Sequence, residues 1–491
     1  MSQNAPGPPL CGPGIRFAFS RGVATQINDL APFVAPRPGI LRRPTVEPAE
    51  VRLSEVVSAL SHALDITEGQ PAGHAVRTCV IGMRLAEVLH LTLDERSALF
   101  YALLLKDLGC SSNAARLARI FQADDLLLKR AHKVTDWSRG ADSALYAFRY
   151  ARADRHVLAR TVQALKVAFT EQGSGRAMTE TRCERGADIA RQLGLDPMTS
   201  EAIRALDEHW DGHGMPYGRA GDQIPLLGRI CGLAQTVEVF FTAHGRDAAY
   251  AVARKRAGTW FDPGMVAALT AFEDDVAFWG TLGATDQLEF VADLEPRDRV
   301  LFADEARLDD VAEAFARVID AKSPYTARHS AGVASIAVAL GRDMGLPDGE
   351  LVTLRRAALL HDIGKLGISN AILDKPGKLT PDEFAAMQRH TGYTLEILRR
   401  VRRFGAFAEL AAAHHERLDG TGYHLGLTSR ELPPLARILA VADVAEALTA
   451  ERPYRPALPR DQVLGIMRPQ VGTALCPVAF EALDGMDRIP T

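Results

Sequence analysis

The 491-residue sequence predicts an all-α protein in which one helical bundle occurs twice in tandem. Three observations point to it. Apolar residues recur at spacings of three and four, as in Val333, Ile336, Ala337 and Leu340, and strand-like alternation is scarce. The segment "LTPDEFAAMQRH" contains a helix start: Thr380 can cap, Pro381 suits the first turn and Glu383 completes a capping box. The helix running toward "HHERLDG" is expected to stop at Asp419-Gly420. The third observation is a repeat. "LLKDLGCSS" (104–112) returns as "LLHDIGKLG" (359–367), and His74 stands as far before Lys106 as His329 stands before His361.

The repeat sets the domain organisation. The first block aligns at an offset of 255 residues. A second block, 211–235, aligns without a gap on 419–443 at an offset of 208; Gly212, Gly214, Gly218, Pro225, Arg229, Ile230 and Ala234 fall on identical residues. The first copy therefore holds about 47 extra residues within 113–180. Residues 1–48, rich in Pro and Gly, read as a loose arm. The first copy spans 49–275, an acidic junction 276–305, and the second copy 306–491.

Composition narrows the function. A net charge of −4 gives no case for a nucleic-acid polymer as partner. The six cysteines form no C-x-x-C pair, so neither a zinc knuckle nor a disulfide framework is expected, and scattered thiols suit the cytoplasm. There is no run of about 18 apolar residues, so no membrane span is expected. The N-terminus lacks the basic and apolar regions of a secretory signal.

The chemistry gathers in the second copy. His329, His361-Asp362, His390, His414-His415 and Asp443 fall on or beside the buried faces of at least four predicted helices. Any one of these histidines alone is more often a core or surface residue than a ligand. Five histidines and two aspartates aimed at one core would be costly without a cation. Imidazole with carboxylate and no thiolate suits Fe or Mn, or else Zn or Ni, over Mg or Ca. Seven ligands exceed the need of one ion. Two ions bridged by a carboxylate fit the count, an arrangement that activates water and clamps phosphoryl oxygens. Lys365, one turn after His361, reads either as a solvated lysine or as a charge for a developing oxyanion.

"YTARHS", "LLHDIGKLGISNAILDKPGKL", "HHERLDGTGY" and "ILAVADVAEALTAERPYR" together resemble the HD-GYP family of HD-type phosphohydrolases, over about 306–480. The resemblance implies two tandem HD-type bundles, two divalent metal ions, Fe or Mn, and hydrolysis of cyclic di-GMP to pGpG or GMP. It implies that His329, His361, Asp362 and Asp443 hold one ion, with Asp362 bridging, and that His390, His414 and His415 hold the other. Lys365 would contact the scissile phosphate, and Arg452 and Arg455 the dinucleotide. Two positions depart from the pattern. Tyr325 stands where three-metal members carry Glu, which favours two ions, and the signature tripeptide reads Gly422-Tyr423-His424, without its proline. Another cyclic dinucleotide, a phosphomonoester, or a non-catalytic sensor remain alternatives.

In the first copy, His74 and Asp107 persist. Lys106, Cys110, Arg182, Leu206, Asp207 and Gln235 stand where the second has His361, Lys365, His390, His414, His415 and Asp443. This copy is expected to keep the fold, to hold no metal pair, and to regulate, dimerise or pack against its partner.

Overall fold

The computed structural model describes residues 51–136, 140–152, 156–170, 174–283, 291, 293–451 and 455–490. The expected arm, Arg452 and part of the expected junction lie outside them.

The described residues form an all-α structure. Its one ribbon pairs Val51–Arg52 antiparallel with Phe302–Ala303. From each strand a helical series begins. In the N-terminal half it runs Leu53–Thr67, His74–Val88, Leu93–Leu105, a 3-10 turn Cys110–Asn113 and Ala114–Phe121. In the C-terminal half it runs Glu305–Asp320, His329–Asp343, Asp348–Leu360, a 3-10 turn Ile363–Gly367 and Asn370–Leu373. Ser174–Gln192, Pro197–Ala205 and Leu226–His244 then correspond in order to Pro381–Arg399, Gly405–Ala412 and Pro434–Thr449. Between the turn and the helix Ser174–Gln192, the described N-terminal half has three helices that the C-terminal half lacks at that place: Asp125–Val134, Gly140–Tyr150 and Val157–Thr170. They enclose a small core of their own around Phe121, Leu128 and Tyr146.

Local sequence explains the boundaries. Thr380 Oγ1 accepts from Glu383 N, and Glu383 answers on Thr380 N at 2.7 Å, so the capping box forms. Two helices end just before a histidine of the set, the second of them earlier than expected. Asp348–Leu360 stops before His361, and Gly405–Ala412 stops before His414. In each case the imidazole Nδ1 donates to the carbonyl three residues back, Ala358 O and Ala411 O at 2.7 Å. The ring thereby satisfies a helix-end carbonyl and releases the backbone to turn. Asp419-Gly420 lies beyond this end, in a loop bridged to Thr428.

One apolar core runs through both halves without a break, from Val56 and Leu60 to Ile438 and Leu483. The packing is crossed. Helix Leu53–Thr67 lies against the turn Ile363–Gly367, while Glu305–Asp320 reaches the turn Cys110–Asn113. The acidic junction is not a free linker: buried Glu295 accepts from Ser54 Oγ at 2.7 Å and from the Tyr101 hydroxyl at 2.6 Å. The five described cysteines are buried and unpaired. Leu226–His244 is the one described helix long and apolar enough to cross a membrane; half of it is buried, packed on His74–Val88 and Pro197–Ala205.

Candidate metal centre

The site grows from one close approach. Glycine at 364 lets the turn Ile363–Gly367 lie on helix Pro381–Arg399, because a Cβ there would sit 1.9 Å from His390 O. Thr394 Oγ1 closes the seam, donating to His361 O at 2.8 Å and accepting from Gly364 N at 3.1 Å. This brings His361 and Asp362, at a helix end, beside His390 in mid-helix. His329 opens the helix His329–Asp343, and Asp443 points in from Pro434–Thr449. His414 and His415 come from the turn after Gly405–Ala412. All seven expected residues meet.

They meet as two sets around one carboxylate. His329, His361 and Asp443 place ligand atoms within 4.8 Å of one another; so, separately, do His390, His414 and His415. Asp362 lies between them. Its Oδ2 is 3.5 Å from His329 Nε2 and 3.3 Å from His361 Nε2, while its Oδ1 is 3.6 Å from His390 Nε2 and 3.5 Å from His414 Nε2. Lys365 Nζ sits 2.5 Å from Asp362 Oδ2, in a 3-10 turn rather than the expected α-helical one.

The donor set fits cations. His361, His390 and His414 each commit Nδ1–H to a backbone carbonyl at 2.7 Å, and His329 commits its Nδ1 to Glu446. That leaves the Nε2 atoms of these four rings facing inward, the arrangement in which outer partners orient ligating imidazoles. His390 Nε2 and His414 Nε2, both acceptors, stand 3.2 Å apart. His361 Nε2 and Asp362 Oδ1 are buried with no hydrogen-bond partner. Two facing lone pairs and two orphaned acceptors call for positive charge between them. Burial pushes the His390 pKa down to about 3, and burial likewise lowers those of His414 and His415, which favours the neutral, ligating ring. For Asp362 and Asp443 burial opposes charge, yet neighbouring histidines, with Lys365 beside Asp362, hold both carboxyls well below the usual range.

Two supports lay outside the sequence expectation. Glu446, on the face of Asp443 one turn on, orients His329; its spacing of three from Asp443 was the available signal. Glu416, following the histidine pair, accepts from Leu425 N at 2.7 Å and Leu427 N at 2.9 Å. It thereby fixes the Gly422-Tyr423-His424 loop that lacks proline. Gly422 is required there, since a Cβ would fall 2.5 Å from Glu416 Cα. Tyr423 lies over His415 with ring centres 4.9 Å apart. Arg455, expected at the dinucleotide, donates to Leu448 O and Ala447 O at 2.9 Å, at the end of the helix that carries Asp443. Arg452 lies outside the described residues.

The corresponding centre of the N-terminal half is built on the same approach: a Cβ on Gly109 would sit 1.9 Å from Arg182 O. His74 Nδ1 meets Glu238 as His329 meets Glu446. Where the C-terminal half has inward lone pairs, this half has ammonium groups. Lys106 Nζ is 3.0 Å from His74 Nε2 and pairs with Asp107. Lys133 Nζ is 3.2 Å from both Glu68 and Asp107 and 3.4 Å from Gln235 Oε1. Arg182 pairs with Asp207. Glu68, Asp107 and Cys110 converge within ligand distance of one another, but Lys133 already neutralises the carboxylates, and burial holds the Cys110 thiol protonated.

Comparison with known proteins places this geometry. A family model described as HD domain matches residues 170–265 and 313–475. A 3'3'-cGAMP-specific phosphodiesterase of Vibrio cholerae is 43% identical over 431 residues, 88% of this chain and 94% of that protein. A cyclic di-GMP phosphodiesterase of Pseudomonas aeruginosa is 43% identical over 132 residues, 27% of this chain and 32% of that protein. The crystal structure of a V. cholerae cyclic GMP-AMP-specific phosphodiesterase superposes with a TM-score of 0.61 at 39% identity, over 89% of this chain and 97% of that one. With its histidines and aspartates gathered in one place and a likeness running through both halves, the chain belongs to the HD domain family, among its HD-GYP-type members.

Proposed function

We propose that the chain is a metal-dependent phosphodiesterase that opens a 3′,3′-cyclic dinucleotide, with 3′3′-cGAMP preferred and cyclic di-GMP the second candidate. The observation that carries the reaction class is Asp362, whose two oxygens face two separate triads of ligand atoms. Substrate preference rests on extent of likeness: the match to the 3'3'-cGAMP-specific enzyme runs along 88% of the chain, and that to the Pseudomonas cyclic di-GMP enzyme along 27%. This reverses the order of substrates expected from the motifs.

In this reading His329, His361 and Asp443 would hold one divalent ion and His390, His414 and His415 the other, with Asp362 placed to serve both. The ions, Fe or Mn, supply Lewis-acid activation of water and neutralise charge at phosphorus. The protein contributes order. Backbone carbonyls and Glu446 keep the Nδ1 protons outward, so the ligand lone pairs are aligned in advance. Lys365, four-fifths buried, carries a charge that can turn from Asp362 toward a phosphate oxygen as negative charge grows. Arg455 supports the helix end behind Asp443, and Arg452 is the candidate for direct dinucleotide contact. Residues 49–275 form a degenerate HD-type domain, 276–305 the junction and 306–491 the working domain.

The test is turnover by the full chain loaded anaerobically with Fe(II) or Mn(II), against 3′3′-cGAMP and cyclic di-GMP, with products identified by mass. Linear dinucleotide product is expected, faster from 3′3′-cGAMP. No turnover of either substrate at measured metal occupancy overturns the reading.

A further inference from the structure

The helix Asp125–Val134 belongs to the stretch without counterpart in the C-terminal half, yet one end enters the N-terminal centre and the other reaches segments that flank the C-terminal one. Asp125, Lys129 and Lys133 follow one another at intervals of four, on one face of the helix. The span from first to last is about 12 Å. At the far end, Lys133 is anchored among Glu68, Asp107 and Gln235 of the N-terminal centre. In the middle, Lys129 Nζ donates to Thr67 O at 2.9 Å, at the end of the helix that packs on the turn Ile363–Gly367.

At the near end, Asp125 leaves its own half. Its side chain is 0% exposed. Its Oδ1 accepts from Asn370 N at 2.7 Å, and Ser369 Oγ stands 3.5 Å away. Its Oδ2 lies 3.3 Å from Lys322 Nζ, itself 1% exposed. Ser369 and Asn370 directly follow the turn that carries Lys365, and Lys322 begins the loop that ends on His329. Asn370 joins the two segments a second time, donating Nδ2 to Lys322 O at 2.8 Å and to Asp374 Oδ2 at 2.6 Å, and Ser323 donates to Asp374 Oδ1. A charge pair as dry as Asp125–Lys322 is a weak source of stability but a demanding one in geometry.

We propose that Asp125 is a positioning residue for the metal centre: from a helix anchored in the N-terminal half, it clamps the segment leading to His329 to the segment leaving Asp362 and Lys365. It touches no ligand. Its effect is on the separation of two ligand-bearing segments, and misplacement on the scale of 1 Å is enough to slow chemistry greatly. The first half then serves the second through one carboxylate. The catalytic part of this inference rests on the phosphodiesterase reading above.

The test uses the full chain and the variants Asp125→Asn and Asp125→Asn/Lys322→Gln, the second of which removes both charges of the pair and leaves Lys129, 3.8 Å from Asp125, paired with Glu68 at 3.7 Å. Asp94→Asn, which cuts the exposed tie to Arg299, is the control. With Mn(II) and 3′3′-cGAMP, both Asp125 variants are expected to lose about tenfold in kcat, with KM changed less than about twofold. Independently of turnover, hydrogen exchange at residues 363–374 and 322–329 should quicken, and Mn(II) affinity measured by equilibrium dialysis should fall about tenfold, within the range typical of lost outer-shell support. A double variant that unfolds at the wild-type temperature with unchanged kcat, exchange and Mn(II) affinity overturns the proposal. Should wild type turn over no cyclic dinucleotide, the functional reading fails alone; exchange and metal affinity then decide the clamp.

Discussion

Two centres built on one backbone frame answer the same electrostatic problem differently. Each begins with a glycine pressed on a neighbouring carbonyl and a histidine held at Nδ1 by a buried glutamate. In the N-terminal centre, Asp107 and Glu68 are met by Lys106 and Lys133, and Glu238 by Arg77 at 2.7 Å. In the C-terminal centre, the only described lysine or arginine paired with Asp362 or Asp443 is Lys365. A buried carboxylate cluster needs countercharge. One centre carries it covalently, on lysine stems; the other offers lone pairs to a cation from solution. The difference teaches that one backbone frame can reach charge balance by two routes, ammonium groups in the N-terminal half and a donor set that fits cations in the C-terminal half.

The comparison can be broken at its strongest point first. Asp362→Ala removes the group common to both triads, and is expected to lower metal content and turnover together, turnover by at least about a thousandfold. Metal analysis beside the assay checks this, and activity surviving the change removes the bridge. Lys133→Met should then show what the internal countercharge is worth. It takes one of two ammonium partners from each of Glu68 and Asp107, leaving them Lys129 and Lys106, so a loss of about 1–3 kcal/mol is expected in denaturant unfolding, with no change in bound metal. A variant as stable as wild type would mean that the lysine merely fills space. The smallest effect is a matched pair. Glu446→Gln weakens the orientation of His329 and should reduce Mn(II) affinity about tenfold, whereas Glu238→Gln should leave metal stoichiometry and affinity unchanged. Equal effects from both would show that the N-terminal centre also binds metal.

The legible parts of this molecule were those that the chain states twice or states locally. The repeat exposed the seven positions that converge in the C-terminal half because differences such as His361 against Lys106 stand out on a shared frame. The capping box at Thr380 is local chemistry and formed as read. The helix end at Ala412 was misplaced because the His414 imidazole, turned inward at Nε2, also takes the helix-end carbonyl, and periodicity carries no sign of that double use. Lys133 and Asp125 were invisible for another reason. They lie in the unrepeated stretch, and their partners, Asp107 on one side and Asn370 on the other, are set by packing and not by spacing.

The ribbon that joins residue 51 to residue 303 also orders events in time. During synthesis, the helix Leu53–Thr67 is complete roughly 300 residues before the turn Ile363–Gly367 on which it rests. At about 5–20 residues per second, the interval is roughly 15–60 seconds. Throughout it, the apolar side chains of the early helix that belong to the shared core have no partner from the later half. The working centre is thus completed by a surface that has waited for it, and a chain interrupted before residue 363 leaves that surface bare for other proteins to find.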